Sequence, residues 1–180
     1  MTPRILVAGI GNIFLGDDGF GCEVIRRLVA ETISPGVKIV DYGIRGLDLA
    51  YALLEPYDTV IFVDAIARGD VPGTVYVLEP SGTAQTDMPL DPHSMDPLHV
   101  IAMARSLGKI PARIFVVGCE PQDFGDELEG RMELSPAVAG SVTEGVRAVL
   151  DLVASVCQSH VPPLSTTADD TCHLHQGGTL

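Results

Sequence analysis

Residues 9–21 read GIGNIFLGDDGFG, and the fold follows from what this stretch joins. Upstream, RILVAG (4–9) is apolar on both faces, as strands of a parallel sheet are. Downstream, Phe20, Val24, Ile25, Leu28 and Val29 recur at helical spacing with Glu23, Arg26 and Arg27 on the other side, which predicts a helix over 20–32. The stretch is therefore a strand-to-helix loop. Its Gly9-x-Gly11 opening is that of a dinucleotide-binding turn, yet Phe14 stands where a third glycine is needed. Asp17 and Asp18 follow at the helix start, where their charge would repel a pyrophosphate that a helix N-terminus otherwise attracts.

Working outward, the same alternation repeats. VKIVD (37–41) predicts a second strand and GLDLAYALL (46–54) a short helix. DTVIFVDA (58–65) is a third, very apolar strand, and GTVYVLEP (73–80) a fourth. The link between those two is too short for a parallel crossover, so the fourth strand is expected to be antiparallel or at an edge. Residues 81–95 carry Gly, Pro, Ser and Asp and read as a loop. Asp96-Pro97 gives an N-cap and a first-turn proline for a helix to about Leu107. ARIFVVGC (112–119) is a fifth strand. Ser135-Pro136 repeats the cap signal and opens a helix with Val138, Val142, Val146, Val149, Leu150 and Val153 on one face. The expected fold is an α/β domain over 1–156, with helices on both faces of a mostly parallel sheet, and a disordered tail over 157–180.

Composition narrows the partners. The chain has 180 residues, enough for one domain with a sizeable core, and a formal net charge of −13, which argues against nucleic acid or anionic lipid as partner. The first apolar run is too short for a signal peptide and none reaches membrane length, so a cytoplasmic protein is expected. Cys22, Cys119, Cys157 and Cys172 form no C-x-x-C pair and read as free thiols.

In such sheets ligands bind beyond the carboxyl ends of the strands. Asp17 and Asp18 follow strand one, Asp64 ends strand three, and His93 lies in the long loop before the third helix. Carboxylates and an imidazole arriving from three loops suit a divalent transition metal. Each also has a plainer use: the paired acids as helix caps, Asp64 as a turn former, His93 as a surface loop residue. His99 reads as a surface residue of the third helix, and CHLH (172–175) as an incidental chelator. A nucleotide reading has Asp41, at the end of strand two, in its favour.

The stretches GIGNIFLGDDGFG, VIFVDAI, PHSMDPLHV and VVGCEP, in this order and spacing, resemble the hydrogenase maturation endopeptidases over residues 4–155. The resemblance implies a three-layer α/β/α sandwich around a twisted, mostly parallel, five-stranded sheet. It implies removal of a C-terminal peptide from the nickel–iron hydrogenase large-subunit precursor after nickel insertion, by a monomer. It implies Asp18, Asp64 and His93 as metal-contacting and catalytic residues, with Asp17 sharing the role or capping the helix, and nickel as the metal, supplied by the enzyme or by its substrate. The loop after strand two, DYGIRGLDLA (41–50), is expected to bind substrate through Gly43, Arg45 and Gly46. Gly19 and Gly21 are expected to leave room for a substrate backbone. No serine or cysteine nucleophile is expected, Cys119 included. The alternative in a different class is a chaperone-like module that binds nickel or the large subunit without cutting.

Overall fold

A computed structural model describes residues 2–80, 97–125 and 130–159. His93, Asp96, Cys172 and the greater part of the tail lie outside these residues. The elements follow the alternation: β1 (Ile5–Ile10), a 3-10 turn (Gly16–Gly19), α1 (Phe20–Leu28), β2 (Val37–Gly43), α2 (Gly46–Ala52), β3 (Thr59–Ala65), β4 (Val75–Leu78), α3 (Pro97–Leu107), β5 (Arg113–Cys119) and α4 (Pro136–Ser159). One sheet has the order β2-β1-β3-β5-β4. All neighbours are parallel except β4, which runs antiparallel to β5 at the edge, as its nine-residue link to β3 requires.

The period-2 geometry of the strands divides their side chains between two cores. Ile5, Val7, Ile61, Val63, Phe115 and Val117 face α1 and α4, while Leu6, Ala8, Val60, Phe62, Ile114 and Val116 face α2 and α3. This is the expected three-layer arrangement. Both faces being covered explains why every residue of β1 and β3 is buried. Among the described residues no helix is long and apolar enough to cross a membrane.

Four details depart from the expectations. Helix α1 stops at Leu28, not 32, because Ala30 and Glu31 donate to Arg27 and Leu28 in i→i−3 bonds that tighten and end the helix, and Val29 is left exposed. Strand β2 continues to Gly43, so Asp41 lies within it rather than at its end. Helix α4 runs to Ser159, into the start of the stretch read as tail. His99 is buried, not on the surface, because it shares the inward side of α3 with Val100, Ile101 and Ala104.

Candidate functional site

The first loop is shaped by its glycines. Gly11 has φ 129°, and a Cβ there would lie 1.8 Å from the Asp18 carbonyl oxygen, so the loop can double back on the acids only with glycine at this position. Asn12 closes the turn: its Oδ1 accepts from Phe14 N–H at 3.0 Å and its carbonyl from Leu15 N–H at 3.0 Å. Gly21 corrects an expectation. A Cβ there would lie 2.2 Å from the carbonyl oxygens of both Ile10 and Val63, so the space beside it belongs to this chain's own β1 and β3, not to a substrate. At Gly19, by contrast, a Cβ would meet Ile13 and Leu134 only at ordinary contact distance, 3.4 and 3.7 Å.

The adjacent acids have different surroundings. Asp17 is fully buried. Its Oδ2 accepts from the N–H groups of Gln122 (2.8 Å) and Asp123 (3.0 Å), and its Oδ1 from Ser135 N–H (2.6 Å). Among the described residues its hydrogen bonds go not to its own helix but to the loop after β5 and to the start of α4, which it ties to the first loop. Nothing in local sequence distinguishes this role, since every partner lies more than a hundred residues away. Asp18 is half-buried, and burial raises its pKa against the lowering effect of the Asn12 N–H, which donates to Oδ2 at 2.5 Å. That N–H is a donor a bound phosphate would need, and here a carboxylate already takes it, which counts against nucleotide binding.

Asp18 and Asp64 line one cavity of about 810 Å³ beyond the carboxyl ends of β1 and β3. Asp64 is buried, and its Oδ1 accepts from Ala65 N–H at 2.9 Å. Ile10, Ile66, Leu78, Leu98 and Val116 give the cavity apolar walls. Pro80 and Pro97, the described residues on either side of the segment that carries His93, line it too. Among the described residues no group of three or more His, Cys, Asp and Glu side chains is placed to hold a metal, so a complete ligand set needs a further donor beyond Asp18 and Asp64.

Two of the thiols, Cys22 and Cys119, are poor nucleophiles. Burial first, then the hydrogen bond to Asp41 and the charges of Asp41, Asp18 and Asp64, push Cys22 up to about 12. Burial and the Asp17 charge do the same to Cys119, also to about 12. A thiol with so high a pKa is a weak nucleophile at neutral pH.

The loop after β2 borders a second groove of about 280 Å³, lined by Gly43 and Arg45 and sharing Gly11, Asn12 and Ile44 with the main cavity. Gly46 is buried at the start of α2. The Arg45 guanidinium donates to the carbonyls of Tyr42 (3.1 Å) and Asp41 and so braces its own loop.

Sequence reasoning passed over Glu120. It is 4% exposed at the end of β5 and accepts from Arg68 N–H (2.8 Å), Gly69 N–H (3.0 Å) and Tyr76 Oη (2.7 Å). The Tyr76 hydroxyl foremost, with the backbone donors, holds Glu120 below the ordinary glutamate range. A carboxyl whose pKa is lower folded than unfolded lends stability above the unfolded value, about 4.3, and loses it as pH falls through the folded one. The Tm difference between wild type and Glu120→Gln is therefore expected to hold constant well above the unfolded value and to shrink as pH falls below it. Calorimetry across that range checks it, and a difference that grows on acidification would refute it.

Comparison with known proteins gives one answer. A family model described as hydrogenase maturation protease matches residues 22–152, a span that contains Asp64 and begins four residues after Asp18. The chain is 39% identical to the hydrogenase expression/formation protein HupD of Rhizobium leguminosarum bv. viciae over 130 residues, 69% of this chain and 63% of that one. It is 31% identical to the hydrogenase 2 maturation protease of Escherichia coli K12 over 150 residues, 82% of this chain and 88% of that one. The match spans only about two thirds of the HupD proteins, 63% of the Rhizobium and 66% of the Rhodobacter capsulatus chain. The solved hydrogenase maturating endopeptidase HybD from E. coli is similar in fold, with TM-score 0.71, 28% identity and coverage of 85% of this chain and 93% of that one.

Proposed function

The chain belongs to the hydrogenase maturation protease family, and from that premise we propose that it is an endopeptidase that removes the C-terminal peptide of a nickel–iron hydrogenase large-subunit precursor after nickel has been inserted. The observation that carries this reading is the cavity of about 810 Å³ at the sheet's carboxyl edge, with Asp18 and Asp64 in its lining and apolar walls. The reading places the reaction in the cytoplasm, on a monomer, with nickel arriving as part of the precursor.

Asp18, Asp64 and His93 would hold that nickel. The donor chemistry fits, because two carboxylates and an imidazole suit a divalent first-row metal. The raised pKa of Asp18 fits too: its half-buried charge is costly alone and is relieved by a cation. When bound, nickel supplies positive charge that polarises the scissile carbonyl. The chain's own residues do the positioning. Asn12 N–H fixes Asp18 Oδ2, and Oδ1 has no hydrogen bond among the described residues, so that oxygen is the one offered to the ion. The apolar walls exclude water from the peptide, and the second groove beside Gly43 and Arg45 extends the path along which the substrate lies, while Gly46, buried in α2, does not reach it.

The test is intact-mass spectrometry of nickel-loaded and nickel-free precursor after incubation with the protein. Loss of one discrete C-terminal peptide is expected from the nickel-loaded form alone. Full-length precursor in a stable complex would replace the peptidase by the chaperone-like module. Cutting of the nickel-free form with nickel absent throughout would remove nickel from the recognition step.

A further inference from the structure

One wall of the cavity is the link between β3 and β4, residues 66–74, of which Ile66, Ala67 and Arg68 face the opening. This link is held more firmly than its exposure suggests. Glu120 takes two of its backbone N–H groups, and its own N–H and carbonyl pair with Thr74 O and Gly73 N–H, each at 2.8 Å. The Glu120 charge is thereby satisfied without the Arg68 guanidinium. That guanidinium lies over the Tyr76 ring, 5.2 Å from its centroid, and makes no ion pair among the described residues.

Arg68 is also the single basic residue among the described residues that line the cavity, in a chain of net charge −13. The charged lining residues besides it are Asp18, Asp64 and Glu79, and Glu79 faces Arg113 at 3.9 Å. The cavity thus has an acidic part suited to a cation and a separate guanidinium on a braced wall. A guanidinium stacked on an aromatic ring keeps its planar fork oriented, which lowers the entropy lost when it binds a carboxylate through two parallel hydrogen bonds.

We propose that Arg68 is a specificity-determining residue that anchors a carboxylate of the substrate polypeptide, and that Glu120 positions it by fixing the β3–β4 link. This rests on the peptidase reading above. The carboxylate belongs either to an Asp or Glu side chain flanking the cut or to the chain terminus of the precursor.

The experiment compares wild type with Arg68→Met, Arg68→Lys and Glu120→Gln by initial rates over a range of nickel-loaded precursor concentrations. Three precursors are used: the native one, one with the Asp and Glu residues flanking the cut changed to Asn and Gln, and one with a neutral C-terminal extension. On native precursor Arg68→Met is expected to raise KM about tenfold with kcat within about twofold, and Arg68→Lys to recover part of the loss. Glu120→Gln is expected to raise KM in the same sense with Arg68 intact. The Arg68→Met penalty should vanish on whichever altered precursor has lost the carboxylate, which identifies its source. An unchanged KM, a fall in kcat alone, or a penalty equal on all three precursors overturns the assignment while the peptidase reading stands. Precursor left whole by wild type overturns the peptidase reading, and the assignment with it.

Discussion

Asp17→Ala is expected to cost about 3–5 kcal/mol of folding stability, seen as a large fall in the urea midpoint with little change in slope. The variant removes the acceptor of the Ser135 N–H, which is buried, and of the Gln122 and Asp123 N–H groups, which are partly buried. Each orphaned donor forfeits about 1–3 kcal/mol, and partial relaxation keeps the total below the simple sum. Against a typical total of about 5–15 kcal/mol, the loss is enough to leave much of the chain unfolded at moderate temperature. Asp17→Asn should fare little better, since one of its two side-chain positions becomes a donor and meets a donor. A urea midpoint within experimental scatter of wild type would mean that the two loops hold together without the carboxylate.

Asp18→Asn is expected to do the reverse. The amide oxygen can still accept from Asn12 N–H, and removing a charge that burial disfavours should leave Tm equal to wild type or higher. The sign follows from the raised pKa: above it the folded chain carries a carboxylate it would rather keep protonated, so a neutral isostere relieves a cost. Cleavage of nickel-loaded precursor should nevertheless fall about 10²–10³-fold, because a neutral amide cannot meet the cation in the substrate. A more stable and less active variant is the mark of a group retained for its chemistry. Asp64→Asn should lose activity to a similar extent. Cleavage at the wild-type rate by Asp18→Asn would move the site elsewhere in the cavity.

These two variants also mark the limit of what could be read from the sequence. The strand–helix alternation, the antiparallel edge strand and the loop that gathers at the carboxyl edge are local or near-local patterns, and the structure follows them. Asp17 and Asp18 are chemically identical neighbours, and only partners 105, 106 and 118 residues away separate the structural acid from the one at the cavity. Gly21 looked like room for a substrate because a missing side chain does not say whose backbone fills the space. His99 looked exposed because its polarity outweighed its position beside Val100 and Ile101, yet the sheet face beneath α3 buries that whole side. Glu120 gave no local signal, since its partners Arg68, Gly69 and Tyr76 lie 52, 51 and 44 residues away in sequence, on the β3–β4 link and on β4.

The Asp17 tie has a consequence for the order in which the protein is made. Its carboxylate closes onto Ser135, so the first loop is not locked until the start of α4 has left the ribosome and docked. Contacts of such long sequence separation bear the full closure entropy before they return any stability, and they form late. A nascent chain therefore carries Asp18 in a loop without its far support until synthesis has passed residue 135. The first loop takes its final shape only with α4, the last helix among the described residues.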